Sequence, residues 1–258
     1  MTNNFTVFFL KSSNMKKIIW IDVGTHFAQE YESVFGSNFK LFWQLFRRLI
    51  AKVIFLRGSF PELDLIRSVC SSRNFFKNNK SRFKFFFVEA NSKIVSQKKV
   101  YLEADAVFNF ALTGNDAEVT EITRLYLADN DDTSQGSSIY IEKANVTKDL
   151  FTLCLGIKSS SFFSALERHL KELGDDYVVL LRLNCEGVED EVIYSAYEFF
   201  GSKLKLVCGS LKDVKGVKGD KSYEEMQNFM VNKNLPFVFF SSDIDSWSEA
   251  HSAIKDLF

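Results

Sequence analysis

The chain has almost no proline, two residues in 258, and no excess of either charge, with 32 basic against 33 acidic side chains. The charge balance removes any broad electrostatic case for a nucleic-acid surface. The four cysteines, Cys70, Cys154, Cys185 and Cys208, stand far apart and form no C-x-x-C pair. That spacing excludes a zinc knuckle and a small disulfide framework, and it suits a reducing, cytoplasmic setting. No cluster has metal-ligand spacing, so no metal is expected. The apolar runs fall far short of the roughly 20 residues of a membrane-spanning helix. The opening MTNNFTVFFLKSSNMKK carries a short apolar patch without a signal-peptide cleavage pattern. Residues 1–15 read as a flexible extension, with Met15 an alternative start. The abundant phenylalanine, read with the missing proline, reflects nucleotide bias in the source genome and not function.

The length suffices for one large α/β domain, and neither an internal repeat nor a low-complexity linker divides it, so a single domain over 1–258 is expected. Strand-like runs fall at 17–23, 83–89, 106–112, 119–127, 138–141, 177–183, 204–208 and 237–240. Helical patterns fall at 26–35, 162–173, 188–200, 223–232 and 244–257. Strands alternating with helices imply a mainly parallel sheet covered on both faces. The segment 36–82 is too long for an ordinary crossover. It contains KLFWQLFRRLIAKVIFL, residues 40–56, in which Leu41, Phe42, Leu45, Leu49, Ile50 and Val53 recur at helical spacing, with Arg47, Arg48 and Lys52 on or beside that face. The favoured reading is a helical insertion packed on the domain as a lid. The alternative is a basic amphipathic helix touching a membrane surface or a partner. The basic stretch SSRNFFKNNKSRFK, residues 71–84, reads as a solvated loop.

The chemistry begins at IIWIDVGTHFAQE, residues 18–30. A β-branched and aromatic run ends in Asp22-Val23-Gly24, and Thr25 is placed to cap a helix from about His26. Ligands in such strand–turn–helix units sit beyond the carboxyl end of the strand. A dinucleotide site wants G-x-G-x-x-G and no carboxylate in the turn; here the later glycines are missing and Asp22 would repel a diphosphate. S-adenosylmethionine carries a sulfonium and an ammonium instead, so Asp22 and Gly24 favour it. The second strand ends in Glu89, where a carboxylate can accept both ribose hydroxyls. A third strand ends in LLRLNCEGVEDEVI, bringing Asn184, Glu186, Gly187 and Glu189 to the same edge.

These segments in their order, IDVGTH, FVEAN, NFALTG, QGSS and LLRLNCEGVEDEVI, resemble the FkbM-type methyltransferases over roughly residues 18–196, leaving out the 36–82 insertion. The resemblance implies a seven-stranded doubly wound Rossmann-like sheet and S-adenosyl-L-methionine as cofactor. It also implies O-methylation of a sugar or another small hydroxyl-bearing acceptor, with a small molecule or glycan as partner. On its terms Asp22, Gly24, Glu89, Asn91, Asn109, Ala111 and Asn184 hold the cofactor, and Ser137 and Ser138 lie in a small-residue loop over the site. Glu186 is the first candidate for the general base and His26 the second. The chain departs from the pattern at Ala28, where a third glycine is usual, at Ala90 in place of proline, and at Asn184 in place of aspartate. Asparagine keeps hydrogen bonding but loses charge and basicity. A domain that binds the cofactor without turnover, and an NAD-dependent oxidoreductase, are the competing readings.

Overall fold

A computed structural model of the chain describes residues 16–55, 62–128, 136–172, 174 and 176–258. The expected extension at 1–15 lies outside the described residues. Six strands form one parallel sheet: β1 (Lys17–Val23), β2 (Phe83–Val88), β3 (Ala106–Phe108), β7 (Tyr177–Leu183), β8 (Leu204–Gly209) and β9 (Phe237–Phe239). Their spatial order is β3-β2-β1-β7-β8-β9, and every pairing is parallel. The chain therefore runs outward from β1 through β2 to β3, then returns to the other side of β1 and continues outward. Between β1 and β7 the direction of winding reverses, and a crevice opens there at the carboxyl edge.

Alternation along the central strands explains why helices cover both faces. Ile19, Ile21 and Val23 of β1, with Val179, Leu181 and Leu183 of β7, pack into one apolar layer. That layer includes Phe163 of α5 (Ser159–Glu172), Val192 of α6 (Glu189–Phe200) and Met226 of α8 (Asp220–Asn232). Ile18 and Trp20, with Val178 and Leu180, point the other way. They meet Tyr31 of α1 (Gln29–Phe35), Phe76 of α3 (Leu63–Asn78) and Ile254 of α9 (Trp247–Lys255). The two short helices α4 (Ser92–Gln97) and α7 (Lys212–Lys218) follow β2 and β8 at the carboxyl edge.

Among the described residues the main sheet has six strands, not seven. The expected strand at 106–112 splits: its second half becomes β4 (Ala111–Thr113), which leaves the main sheet. β4 joins β5 (Thr120–Tyr126) and β6 (Phe151–Lys158) in a separate three-stranded sheet, ordered β4-β6-β5. The 138–141 segment forms only a single bridge, Ser138 to Tyr126. β6 was missed in the sequence, although FTLCLGIK carries apolar residues at every second position; Phe151, Leu153 and Leu155 are exposed.

The segment after α1 also differs from expectation. Residues 71–78 are the second half of α3, not a solvated loop. Val69, Ser72, Arg73 and Phe76 lie on one side of that helix and are buried. The Arg73 guanidinium donates to the carbonyls of Glu32, Ser33, Gly36 and Ser37 at distances of 2.6–3.2 Å. It thereby satisfies the carbonyl end of α1, where α1 itself has no basic residue in its last turn. Preceding α3, α2 (Asn38–Phe55) buries Leu41 but leaves Phe42, Trp43, Phe46 and Leu49 exposed. Among the described residues, no helix is long and apolar enough to cross a membrane.

Candidate functional site

The loop after β1 is shaped by contacts to its two neighbouring strands. The Gly24 N–H donates to the Val88 carbonyl (2.9 Å), and the Asn184 N–H donates to the Val23 carbonyl (3.0 Å). Gly24 has φ +72, and a side chain there would overlap the Asn184 backbone carbonyl. Only glycine allows this approach of the β1 and β7 loops. Thr25 does not cap a helix: its hydroxyl donates to the Asp22 carbonyl (2.9 Å), and α1 begins only at Gln29. His26 and Ala28 both take left-handed backbone, at φ 47 and 50. The position where glycine is usual thus adopts the backbone glycine prefers, and Ala28 holds it under strain.

Asp22 faces away from the cavity. Strand alternation turns it toward the α1 side, directly opposite Arg182 on β7. Arg182 is fully buried and donates to Asp22 (3.0 Å), to the Gly24 carbonyl (2.8 Å) and to Glu30 (2.6 Å). Two carboxylates share one guanidinium, so the trio carries a net negative charge beneath the N-terminus of α1. Burial lifts the Asp22 carboxyl to about 6, against the pull of Arg182. Arg182 was missed in the sequence, although a lone charge in YVVLLRL, a strand buried on both faces, signals a buried partner.

Glu89 does reach the cavity. Its carboxylate accepts the backbone N–H groups of His26 (2.7 Å) and Asn91 (2.9 Å), tying together the loops after β1 and β2. Burial raises its pKa above the ordinary value. Asn91 lines the cavity and caps α4 by accepting the Lys93 N–H (3.1 Å). Asn109 is not a lining residue: its amide donates to the Glu89 carbonyl (2.7 Å) and braces the loop from outside. Ala111 forms part of the wall. His26 lines the cavity, and its carbonyl accepts the Tyr101 hydroxyl (2.7 Å).

The third loop is organised by Glu189. This residue is fully buried, and its carboxylate accepts the N–H groups of Cys185 (3.1 Å), Glu186 (2.7 Å) and Gly187 (2.8 Å). Those bonds hold Glu186 in left-handed backbone, φ 62. Its carboxylate pairs with Lys143, which also donates to the Gly136 carbonyl (3.0 Å) and lies 3.7 Å from Asp213. Burial holds the Lys143 amine below its ordinary value. Lys143 lies 43 residues before Glu186 in a segment with no motif, and nothing in the sequence marked it. The Ser138 hydroxyl donates to the Glu186 carbonyl (2.7 Å), and Ser137 lines the cavity.

Burial raises Glu189 to about 7. The fold therefore favours its protonated form. The stability this group contributes is fully present below about pH 4 and is lost as pH rises through about 7. In urea titrations, the stability gap between wild type and Glu189→Gln is expected to narrow by about 2 kcal/mol between pH 5 and pH 8. An unchanged gap would mean that Glu189 is not the buried proton carrier.

The loops enclose two joined spaces. An inner cavity of about 80 Å³ is bounded by Gly24, His26, Glu89, Ala111, Asn184 and Glu186. An outer one of about 480 Å³ is bounded by Glu30, Lys143, Asn184, Glu186, Ser210 and Asp213. Asn184 and Glu186 line both, and the Asn184 side chain has no hydrogen bond to a described residue. Among the described residues, none of α2 lines either space. Among the described residues, no three His, Cys, Asp or Glu side chains converge as a metal site requires. No family model, curated protein or solved structure matches the chain.

Proposed function

We propose that the chain is a methyltransferase that binds S-adenosylmethionine in the inner cavity and methylates a hydroxyl of a small-molecule or glycan acceptor in the outer one. The observation that carries this reading is Glu89 at the carboxyl end of β2, bordering a cavity at the point where the strand order reverses. Each Glu89 oxygen accepts one backbone N–H and keeps a second acceptor site, which suits two ribose hydroxyls. The uncompensated negative charge of Asp22, Glu30 and Arg182 lies under the same loop. It favours a cationic ligand and opposes a diphosphate. The inner cavity is smaller than the 300–1,000 Å³ usual for cofactor sites, so binding requires its loops to open.

S-adenosylmethionine supplies an electrophilic methyl group. Residues of the chain then have to hold the acceptor and take its proton. Asn184 borders both spaces with an amide that has no hydrogen bond to a described residue, suited to orienting a hydroxyl. Glu186 borders both spaces and is the carboxylate for the proton, with His26 second. The Glu186 carboxylate is paired with Lys143, and that ion pair has to open before it can take a proton. That pairing, with Asn184 where an aspartate would be charged, also favours the second reading, binding without turnover.

The test is calorimetric titration of the folded protein with S-adenosylmethionine, S-adenosylhomocysteine and NAD. Micromolar binding of the first two is expected, weakened about tenfold or more in Glu89→Gln by loss of charged hydrogen bonding. Binding without methyl transfer across an acceptor screen would leave the non-catalytic reading. NAD binding in preference would assign the site to a dinucleotide, whose folds share the all-parallel order seen in this sheet. Binding of none of the three would end the cofactor assignment.

A further inference from the structure

The most exposed aromatic surface of the described chain lies on α2. Phe42 and Trp43 are 62 % and 50 % exposed, and Phe46 and Leu49 are exposed beside them. Positions 42, 43, 46 and 49 fall on one side of a helix. The Phe42 and Phe46 rings stack at 6.2 Å, and Trp43 lies 5.6 Å from Phe46, so the three form one continuous aromatic patch. Leu41 is buried against the body of the protein. Arg48 pairs with Asp243 and Asp245, tethering α2 to the loop after β9 whose Ser241 and Ser242 border the outer cavity.

Charge decides what such a patch would meet. The sequence of α2, NFKLFWQLFRRLIAKVIF, has four basic residues and no acidic one; Arg48 is paired with Asp243 and Asp245, which leaves Lys40, Arg47 and Lys52 to make the helix cationic. A second copy docking through the same face would bring two cationic helices together, which costs energy. An apolar partner surface would leave the charge unused. A surface that accepts aromatic side chains at its boundary and carries negative charge in front of them satisfies both features, and an anionic lipid headgroup layer is such a surface.

We propose that α2 docks the protein on anionic lipid membranes, with Phe42, Trp43 and Phe46 inserted at the headgroup boundary and the exposed Arg47 on the lipid phosphates and carboxylates. This site is independent of the methyl-transfer reading. It is a surface anchor, separate from both cavities.

Of the three tryptophans, Trp20 and Trp247 are buried and Trp43 is exposed, so a change in tryptophan emission on binding reports α2. The full-length protein is mixed with phosphatidylcholine vesicles carrying about 30 % phosphatidylserine, and with vesicles of phosphatidylcholine alone. The expected result is a blue shift and co-sedimentation with the anionic vesicles, both reversed by high salt. In Phe42→Ser/Trp43→Ser/Phe46→Ser the sedimented fraction is expected to fall about tenfold or more. The replaced side chains are exposed, so its melting temperature should stay near that of wild type, which separates a lost anchor from a lost fold. Three results would overturn the proposal: no sedimentation of the folded wild type with anionic vesicles, equal sedimentation of the triple variant, or binding indifferent to lipid charge and salt. A wild-type dimer that the triple variant abolishes, without vesicle binding, would assign the patch to self-association instead.

Discussion

Replacing Arg182 with leucine is expected to cost about 3–5 kcal/mol of stability at pH 7. The guanidinium is buried, and it is the shared cation for Asp22 and Glu30. Leucine fills much of the volume but leaves two buried carboxylates facing each other without a counter-charge. The Gly24 carbonyl also loses a donor. This cost comes from what is left behind, so two further results follow. Acidification should narrow the deficit, because Asp22, already lifted to about 6 by burial, becomes protonated and no longer repels Glu30. Adding Asp22→Leu and Glu30→Leu should recover most of the loss, as apolar replacement of a whole buried ion cluster commonly does. Urea denaturation at pH 5 and pH 7 measures all three. A deficit below about 1 kcal/mol for Arg182→Leu alone would show that the trio is hydrated and not a buried charge cluster.

Gly24→Ala is expected to destabilise the protein by about 3 kcal/mol and to abolish ligand binding at the inner cavity. Left-handed backbone costs an alanine about 1–2 kcal/mol. The remainder comes from the new methyl group, which would lie inside the contact radius of the Asn184 carbonyl oxygen, a backbone atom that cannot rotate aside. Relief requires the β1 and β7 loops to separate. That would disturb the Arg182 hydrogen bond to the Gly24 carbonyl and displace Asn184, which borders both cavities. For a domain of this size such a loss lowers the melting temperature by about 6–12 °C. A variant that melts like wild type would place the two loops farther apart than described. One that melts lower yet binds S-adenosylmethionine unchanged would move the ligand away from this edge.

The three segments singled out in the sequence do meet, and the reason is topological. β2, β1 and β7 are adjacent parallel strands, so anything at their carboxyl ends shares one edge. Each strand could be recognised because burial on both faces leaves an apolar run, broken in the three only by Arg182. IIWI, FFFV and YVVLLRL have no solvent-facing side to interrupt them. In the small sheet β5 was read, at 119–127, while β6 was missed, and the break between β3 and β4 is a change of sheet, which composition does not mark. The strand count fell to six for that reason. The second half of α3, residues 71–78, was read as loop because Arg73 and Lys77 look solvated in the sequence, whereas Arg73 donates to the four carbonyls that end α1.

Within the site, roles diverge from positions. Asp22, Glu89 and Glu189 all stand where acidic residues were expected to matter, yet they do three different things. Asp22 neutralises Arg182 on the far face of the sheet, Glu89 ties two loops and borders the cavity, and Glu189 gathers three backbone N–H groups to pose Glu186. Local pattern decided the parallel α/β architecture, the central strands and the edge on which the site lies, because periodic burial is written residue by residue. The partners of the charged groups were decided only in three dimensions. Arg182 meets Asp22 across 160 residues and Lys143 meets Glu186 across 43. An ion pair depends on where two distant segments are brought together and which face each residue takes. The neighbouring sequence does not name the partner, so whether a carboxylate borders the cavity, braces a loop or serves as a counter-ion became legible only when the strands were laid side by side.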